Sequence, residues 1–494
     1  MRGVYTAAQV RSAERVVLDR VPPGTLMRRA AFGLGIYAGR LLETVRAGRR
    51  VTLLVGAGDN GGDALWAGAL LRRRGFAVTA VLLDPARAHP GGLAALVRAR
   101  GRVVEVGPDG PGPDAVTAVG RANLVLDGIV GLSGRGPLRS AAAALVEAAE
   151  HAGAPVLAVD SPSGVDPDTG AVDGPAVTAI ATVTFGALKP VHVLAEHRCG
   201  PVFLVDIGLE PELPTPHAAI LDDVDVAERW PVPGPTDDKY TQGVTGVAAG
   251  SATYPGAAVL ATGAAVLATS GMVRFAGSAA HPVRAHWPEV IATDDVAEAG
   301  RTQSWSVGPG IGTDDGGRAL LAAVLAKDVP TCIDADGVTL LAQHDDLRAA
   351  VAGRPIVLTP HDREFARIAG EVGTDRIAAT RWAAAALGVT VLLKGNATVV
   401  ADPDGRTLVH PSTTSWAATA GSGDVLTGII GALLAAGLEP WWAAGCAAFV
   451  HSRAASLAAA DAPVPASLIE ASIPPAVRSV RAAAGLTPPD IAPA

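Results

Sequence analysis

The stretch "VTLLVGAGDNGGDALWAGALLRRRG", Val51 to Gly75, reads as a buried strand, a glycine turn and a helix in direct succession. An uninterrupted apolar run closed by glycines marks a strand buried on both faces, which belongs in a parallel sheet covered by helices. Glycines at 56, 58, 61 and 62 free backbone N–H groups to point at an anion at the helix start. The spacing departs from the dinucleotide pattern G-x-G-x-x-G, because Asp59 and Asn60 stand before the paired glycines. Taken alone, the turn is as well explained by a tight strand-to-helix connection with no ligand.

The same alternation continues outward through "FAVTAVLLD", "ANLVLDGIVG", "APVLAVDSPSG" and "PVFLVDIGL". Residues 1–210 are therefore expected to form a Rossmann-like, doubly wound α/β domain. Between Glu210 and Asp238 the pattern stops among Pro211, Pro214, Pro216, Pro231, Pro233 and Pro235, so 211–238 reads as a linker. Alternation resumes with "GVTGVAAGS", "TQSWSVGPGIG", "PTCIDADG", "PIVLTPHDREF" and "VTVLLKGNATVVAD", giving a second α/β domain over 239–486. The halves share no alignable motif, which argues against duplication. The tail 487–494 is expected to be disordered.

A chain of 494 residues is too long for one ordinary core, and 49% hydrophobic residues exclude a largely disordered one. The net charge of −8, without a long basic run, leaves no footprint for nucleic acid. Cys199, Cys332 and Cys446 lie far apart in neither a zinc nor a Cys-x-x-Cys pattern, and read as reduced thiols of a cytoplasmic protein. The N-terminus lacks the apolar stretch of a signal peptide, and the apolar run Val425 to Leu438 is closed by Glu439 and Pro440 before it could cross a bilayer. No membrane partner is expected.

Further strand ends in the first half carry Asp127, in "LVLDGIVGLSGRGPLR", and Asp160 with Ser163, in "AVDSPSGVDPDTG". Ligands of open parallel sheets sit at the carboxyl ends of the strands, where these side chains would gather with Asn60. Such oxygen-rich clusters suit a hard cation or proton transfer. Together with "TVTFGALKP" and "VDIGL", these motifs resemble the NAD(P)H-hydrate epimerase domain of the bifunctional NAD(P)H-hydrate repair enzymes. The resemblance implies that Asn60, Asp127 and Ser163 hold a potassium ion. It also implies that Asp59, Asn60, Gly61, Gly62, Asp63, Gly131, Leu132, Ser133, Gly134, Arg135, Gly136, Pro137 and Asp160 line the hydrate site. Asp160 would handle the proton as the two C6 epimers interconvert. The family usually reads Asn-Asn-Gly-Gly-Asp-Gly, where this chain has Asp59 first and Ala64 last, and Leu132 departs from a usual Gly-Thr-Gly.

In the second half, "ATAGSGDVLTGIIGALLAAG" from Ala418 sets a glycine-spaced loop and one acid, Asp424, at the start of an apolar helix. It is no Walker A loop, since no Gly-Lys-Ser/Thr follows. An acid aimed into an anion site needs a task such as taking a proton from an attacking hydroxyl; the bland alternative is a helix N-cap. "SVGPGIG", "LTPHDREFARI" with His361 and Glu364, and "LLKGNATVV" with Lys394 precede it. Singly, these read as turns, a helix start and a solvated lysine. Their order, from about Lys239 to Leu438, resembles the ribokinase-like dehydratase half of the same repair enzymes.

That resemblance implies that Lys394, Gly395, Asn396, Ala397, Thr398 and Gly423 hold the nucleotide, and that Ala257, Gly312, His361 and Asp424 meet the hydrate. It further implies that Asp424 is the base, with ADP as phosphoryl donor and Mg²⁺ as counter-ion. NADH or NADPH hydrates would be the substrates, and a homo-oligomer is expected. Two rivals stand beside this reading: a vitamin or sugar-alcohol kinase in the C-terminal half, and a non-catalytic binding module in the N-terminal half.

Overall fold

The computed structural model describes residues 1–45, 48–269 and 271–486, which fall into two bodies. One is Gly3–Ala218; the other takes Met1–Arg2 with the residues from Ala219 onward. The tail from Thr487 lies outside the described residues.

The N-terminal body holds seven parallel strands in the order Arg102–Glu105, Ala77–Leu82, Arg50–Val55, Leu124–Gly128, Val156–Val159, Ala181–Phe185 and Val202–Val205. Successive side chains of each strand point to opposite faces. Leu53 and Val55 therefore enter one core, with the helices Thr25–Val45, Asp59–Arg73 and Pro90–Arg98. Leu54 enters the other, with Pro113–Gly120 and Ser140–His151. The chain winds one way from Arg50–Val55 and then the other from Leu124–Gly128. These two adjacent strands mark the topological switch point, where a crevice opens outside their carboxyl ends.

The C-terminal body repeats the device in a larger mixed sheet. Parallel strands run in the order Thr390–Leu393, Ile356–Leu358, Thr331–Ile333, Ser304–Val307, Val244–Ala248, Met272–Ala276 and Ile291–Thr293. Ala397–Ala401 and Thr407–Pro411 extend one side antiparallel. Here the switch point lies between Val244–Ala248 and Ser304–Val307. The helix Ser422–Ala435 crosses this region, buried from Val425 onward. Its Gly428 and Gly431 have no room for a Cβ, which would strike the Ala261 carbonyl and the Ser306 hydroxyl respectively. The apolar run thus belongs to a buried helix, and no described helix is long and apolar enough to cross a membrane.

The proline-rich stretch read as a linker carries more structure than its composition suggests. The strand Ala218–Ile220 pairs with Thr407–Pro411, and the helix Asp223–Arg229 opens on a capping box made by Asp222 and Asp225. Leu221, Val226, Ala227 and Trp230 are buried in the C-terminal core. Four apolar residues scattered among prolines form no periodic signal, and tertiary burial supplies the order that local pattern does not.

Gly56, directly after Arg50–Val55, faces the neighbouring strand's exit so closely that a Cβ would collide with the Ile129 carbonyl. Gly56→Ala is expected to destabilise the N-terminal body by roughly 1–3 kcal/mol through forced overpacking. A urea midpoint unchanged from wild type would refute that close approach.

Candidate functional site

At the N-terminal switch point the exits of the two central strands border a cavity of about 880 Å³. Asp59, Asn60 and Asp63 line it, as do Gly131 to Pro137 and Asp160. Gly61 and Gly62 do not reach it. They sit buried in the first turn of the helix, where a Cβ would meet the Gly56 carbonyl or the Met27 and His89 side chains. Two glycines read as anion-binding are there for packing. The loop after Gly131 is pinned by Arg135, whose Nη2 lies 2.7 Å from Asp168 Oδ2, and by Arg11, which donates to the Leu132 carbonyl at 3.0 Å.

Asp160 is one of the few non-glycine residues in the left-handed region, with φ of 69°. Strain of that kind persists only when the surroundings over-determine it. Here they do. The Asp160 carboxylate accepts from the Lys189 ammonium and, at 3.1 Å, from Thr184 Oγ1. Lys189 donates also to Thr184 Oγ1 at 2.7 Å and is itself 0% exposed. His192 fixes the turn: Nδ1 accepts from the Lys189 N–H at 3.0 Å, so Nε2 is the protonated nitrogen that donates to the Asp160 carbonyl at 2.8 Å. Burial, then the adjacent Lys189, holds His192 down to about 4, hence neutral. Lys189, Thr184 and His192 were not singled out from sequence. A lysine inside the otherwise apolar "TVTFGALKPVHVL" was the available signal, because a lysine buried there must be paired.

Asp127 and Ser163 come together behind this cavity, both buried. Asp127 Oδ1 accepts from Ser163 Oγ at 2.7 Å and Oδ2 from the Ser163 N–H at 2.8 Å. Burial pushes Asp127 up to about 6, against the opposing pull of those bonds. Asn60 Nδ2 is buried without a partner, and Gly131 leaves space against the same amide.

The C-terminal body gathers its groups at strand ends likewise. Gly310, at φ of 66°, packs its backbone beside Ala257, on the first turn of the helix Pro255–Ala268. Gly312 donates its N–H to Asp336 Oδ2 at 2.9 Å. His361 caps the helix Asp362–Ala369: Nδ1 accepts from the N–H groups of Arg363 and Glu364, and its own N–H donates to Glu364 Oε2 at 2.9 Å. The imidazole stays half exposed, with Nε2 3.3 Å from Glu364 Oε1.

Lys394 is turned inward rather than solvated. Its Nζ donates to Asp334 Oδ1 at 2.6 Å and lies 3.8 Å from Glu364 Oε2. Burial opposes its charge, but Asp334 and Glu364 more than reverse this, raising it above the ordinary lysine value. Thr427, on the buried helix, donates to Asp334 Oδ2 at 2.8 Å. Gly423 passes beside the Lys394 ammonium, while Gly395 and Asn396 form the exposed tip of a hairpin whose second strand holds Ala397 and Thr398. Asp424 stands in the first helical turn. The N-cap position is Gly421, so the capping alternative for Asp424 does not hold. Burial, then Asp334, pushes Asp424 up to about 7, with Lys394 opposing and Asp336 adding. Asp334 and Asp336, within "CIDADG", stand at a strand end as Asp127 and Asp160 do, but nothing local marks Lys394 as their neighbour, and they were missed.

Residues 245–475 match the family described as NAD(P)H-hydrate dehydratase, and residues 23–191 match the YjeF-related protein N-terminus. The chain is 58% identical over 447 residues to the bifunctional NAD(P)H-hydrate repair enzyme Nnr of Mycobacterium tuberculosis, covering 89% of this chain and 90% of that one. It is 56% identical over 465 residues to the enzyme of the same name from Mycobacterium leprae, covering 93% and 95%. The structure of an ADP/ATP-dependent NAD(P)H-hydrate dehydratase from Bacillus subtilis, co-crystallised with ATP and Mg²⁺, is 25% identical with a TM-score of 0.47, over 53% of this chain and 99% of that one. The fold is that of a two-body α/β enzyme with strand-end acids gathered in each body. The chain belongs to the family of bifunctional NAD(P)H-hydrate repair enzymes.

Removing one partner of a buried ion pair leaves an uncompensated charge, which costs about 3–5 kcal/mol. Lys189→Met should lower the stability of the N-terminal body by that amount, and adding Asp160→Asn should restore most of it. A denaturant titration in which the single variant melts like wild type would show that the pair is not what holds Asp160.

Proposed function

We propose that the N-terminal half interconverts the R and S epimers of NADH and NADPH hydrates. The C-terminal half then dehydrates the S form with ADP as phosphoryl donor, releasing AMP and phosphate. The observation that carries this is Asp424, an acid held at about 7 at the start of a buried helix, with Lys394 and the Gly423 backbone beside it. Helix N–H groups and a lysine receive phosphate charge, and the acid receives a proton.

The C6 hydroxyl gives its proton to Asp424 as its oxygen attacks the terminal phosphoryl group of ADP, and AMP leaves. Phosphate then departs from C6 while a proton is lost from C5, and the C5–C6 double bond of the dihydronicotinamide returns. Phosphoryl transfer depends chiefly on positioning and charge stabilisation. Lys394, held by Asp334, offers a fixed cation, and Thr427 orients Asp334 in turn. His361, Gly312 and Ala257 border the hydrate side, and Lys394 to Thr398 the nucleotide side. No group of three or more His, Cys, Asp or Glu side chains among the described residues is arranged to hold a metal. Mg²⁺ therefore fits as an ion brought by the nucleotide phosphates, where it would neutralise charge on the transferring group.

In the N-terminal half the donor set of Asn60, Asp127 and Ser163 fits potassium. It joins the buried Asp127 carboxylate to the neutral side-chain oxygens of Ser163 and Asn60. Such oxygens suit a hard ion of low charge rather than zinc. The ion would offset the buried charge of Asp127, while Asp160, Lys189 and the Gly131 to Pro137 loop bind and orient the hydrate. We place the enzyme in the cytoplasm, in keeping with three buried free thiols.

Asp424→Asn keeps size and hydrogen bonding but cannot accept the proton, so dehydration of the S hydrate should fall roughly 10²–10⁴-fold while ADP binding survives. In wild type the base works only when ionised, so the rate should climb as pH rises through about 7. Turnover near normal in the Asn variant would leave the mechanism without its base. Separately, epimerisation should require potassium and dehydration should not; equal epimerisation rates in sodium-only and potassium buffers would remove the ion from the Asn60 site.

A further inference from the structure

We propose that Glu14 is a second proton-transferring residue of the N-terminal site, acting with the Asp160–Lys189 pair in epimerisation. The proposal rests on the epimerase reading above. Glu14 lies on the helix Ala7–Leu18, outside every motif that the sequence singled out. That helix is anchored at its start by a capping box between Thr6 and Gln9 and by Asp168, which accepts the Ala7 N–H at 2.6 Å. Arg11, one turn before Glu14, ties the helix to the Leu132 carbonyl at 3.0 Å. The carboxyl of Glu14 is thereby delivered to the wall of the 880 Å³ cavity that Asp160 and Lys189 also line. Glu14 and Arg11 border a second hollow of about 450 Å³ as well, with Ala8, Arg15 and Leu18. Glu14 thus stands between the hydrate cavity and a second opening, where a proton could be exchanged.

The charged groups facing Glu14 are Asp160 and Lys189 from the sheet, Asp59 and Asp63 from the glycine-turn helix, and Arg11 from its own helix. Burial first, then Asp160, pushes Glu14 up to about 7; Asp59 adds to this, while Lys189 and Arg11 oppose it. An acid solvated on an open helix face would feel no such push. Near neutrality Glu14 is then divided between donor and acceptor forms.

The chemistry calls for two such groups. C6 of the hydrate carries a hydroxyl and is bonded to N1, whose lone pair can expel that hydroxyl. As the C6–O bond breaks, the oxygen takes the Glu14 proton and leaves as water, and the N1 lone pair becomes the C6=N1 bond of an iminium ion. Water then adds to the other face of C6: a new C6–O bond forms, the C6=N1 pair returns to N1, and the proton released goes to Asp160. A proton passing from Asp160 back to Glu14 through water resets the site. Nothing is oxidised or reduced.

The test uses the full chain with the purified R hydrate of NADH and no nucleotide donor, following R-to-S conversion by chromatography. Glu14→Gln should lower kcat for epimerisation 10²-fold or more with KM little changed. Glu14→Asp should retain activity within about tenfold, and both variants should melt like wild type. The fall in the wild-type rate above about pH 7 should vanish from the residual activity of the Gln variant. A wild-type kcat in Glu14→Gln overturns the proposal. So does equal loss in the Gln and Asp variants, which would mark Glu14 as structural. A wild-type enzyme that does not epimerise removes the underlying reading and this proposal with it. That failure is distinguishable because it precedes any comparison of variants.

Discussion

In each body one carboxylate buried at the end of a parallel strand is paired with a lysine. Asp160 ends Val156–Val159 and is held by Lys189, which follows the adjacent strand Ala181–Phe185. Asp334 ends Thr331–Ile333 and is held by Lys394, which follows Thr390–Leu393. Without these pairs the interior would carry lone charges that cost several kcal/mol each. The pairs also dictate local shape. Asp160 accepts a left-handed backbone, and His192 is held neutral to support it. In the other body Thr427 binds the second oxygen of Asp334, so the pair ties the buried helix to the sheet.

The glycines serve that same demand for close approach. Gly56 and Gly308 each follow a central strand, and in each case a Cβ would collide with a backbone carbonyl at a neighbouring strand exit, of Ile129 and of Asp334. Because the strand exits are packed this tightly, the acids that follow them converge over one crevice. The switch point opens that crevice to ligand, and helix starts face into it.

The α/β architecture was legible because strands buried on both faces leave unbroken apolar runs, and the glycine-spaced turns between them announce where ligands sit. Asp160, Asp424 and Asn60 stood out at those turns and strand ends, whereas the Gly131 loop entered only through the family resemblance. What was not legible depended on partners distant in sequence. Lys189 and Asp334 look like ordinary polar residues until the sheet order brings Asp160 and Lys394 to them. Between Glu14 and Asp59, the next acid of its cavity, lie the helix Thr25–Val45 and the strand Arg50–Val55. Gly61 and Gly62 carry the same symbol as an anion-binding glycine, and only their neighbours, Gly56, Met27 and His89, reveal a packing role. The helix Asp223–Arg229 was hidden because prolines dilute a periodicity that Trp230 and Leu221 complete only by tertiary contact.

One lysine cannot neutralise two acids, and this asymmetry singles out in each body the acid proposed above as a proton-transferring group. Lys189 is bound to Asp160 and Lys394 to Asp334, which leaves Glu14 and Asp424 without an ion pair among the described residues. Each unpaired acid is half-buried beside a paired one, and each is pushed up to about 7 by burial first and its acidic neighbour second. Pairs of titratable groups driven apart by their surroundings are how an enzyme obtains a proton donor or acceptor that works at neutral pH. Were both acids in either body given a cation, the second acid would no longer be pushed up to about 7. The buried lysine thus holds one carboxylate in place and, by being occupied there, leaves the other without an ion pair of its own among the described residues.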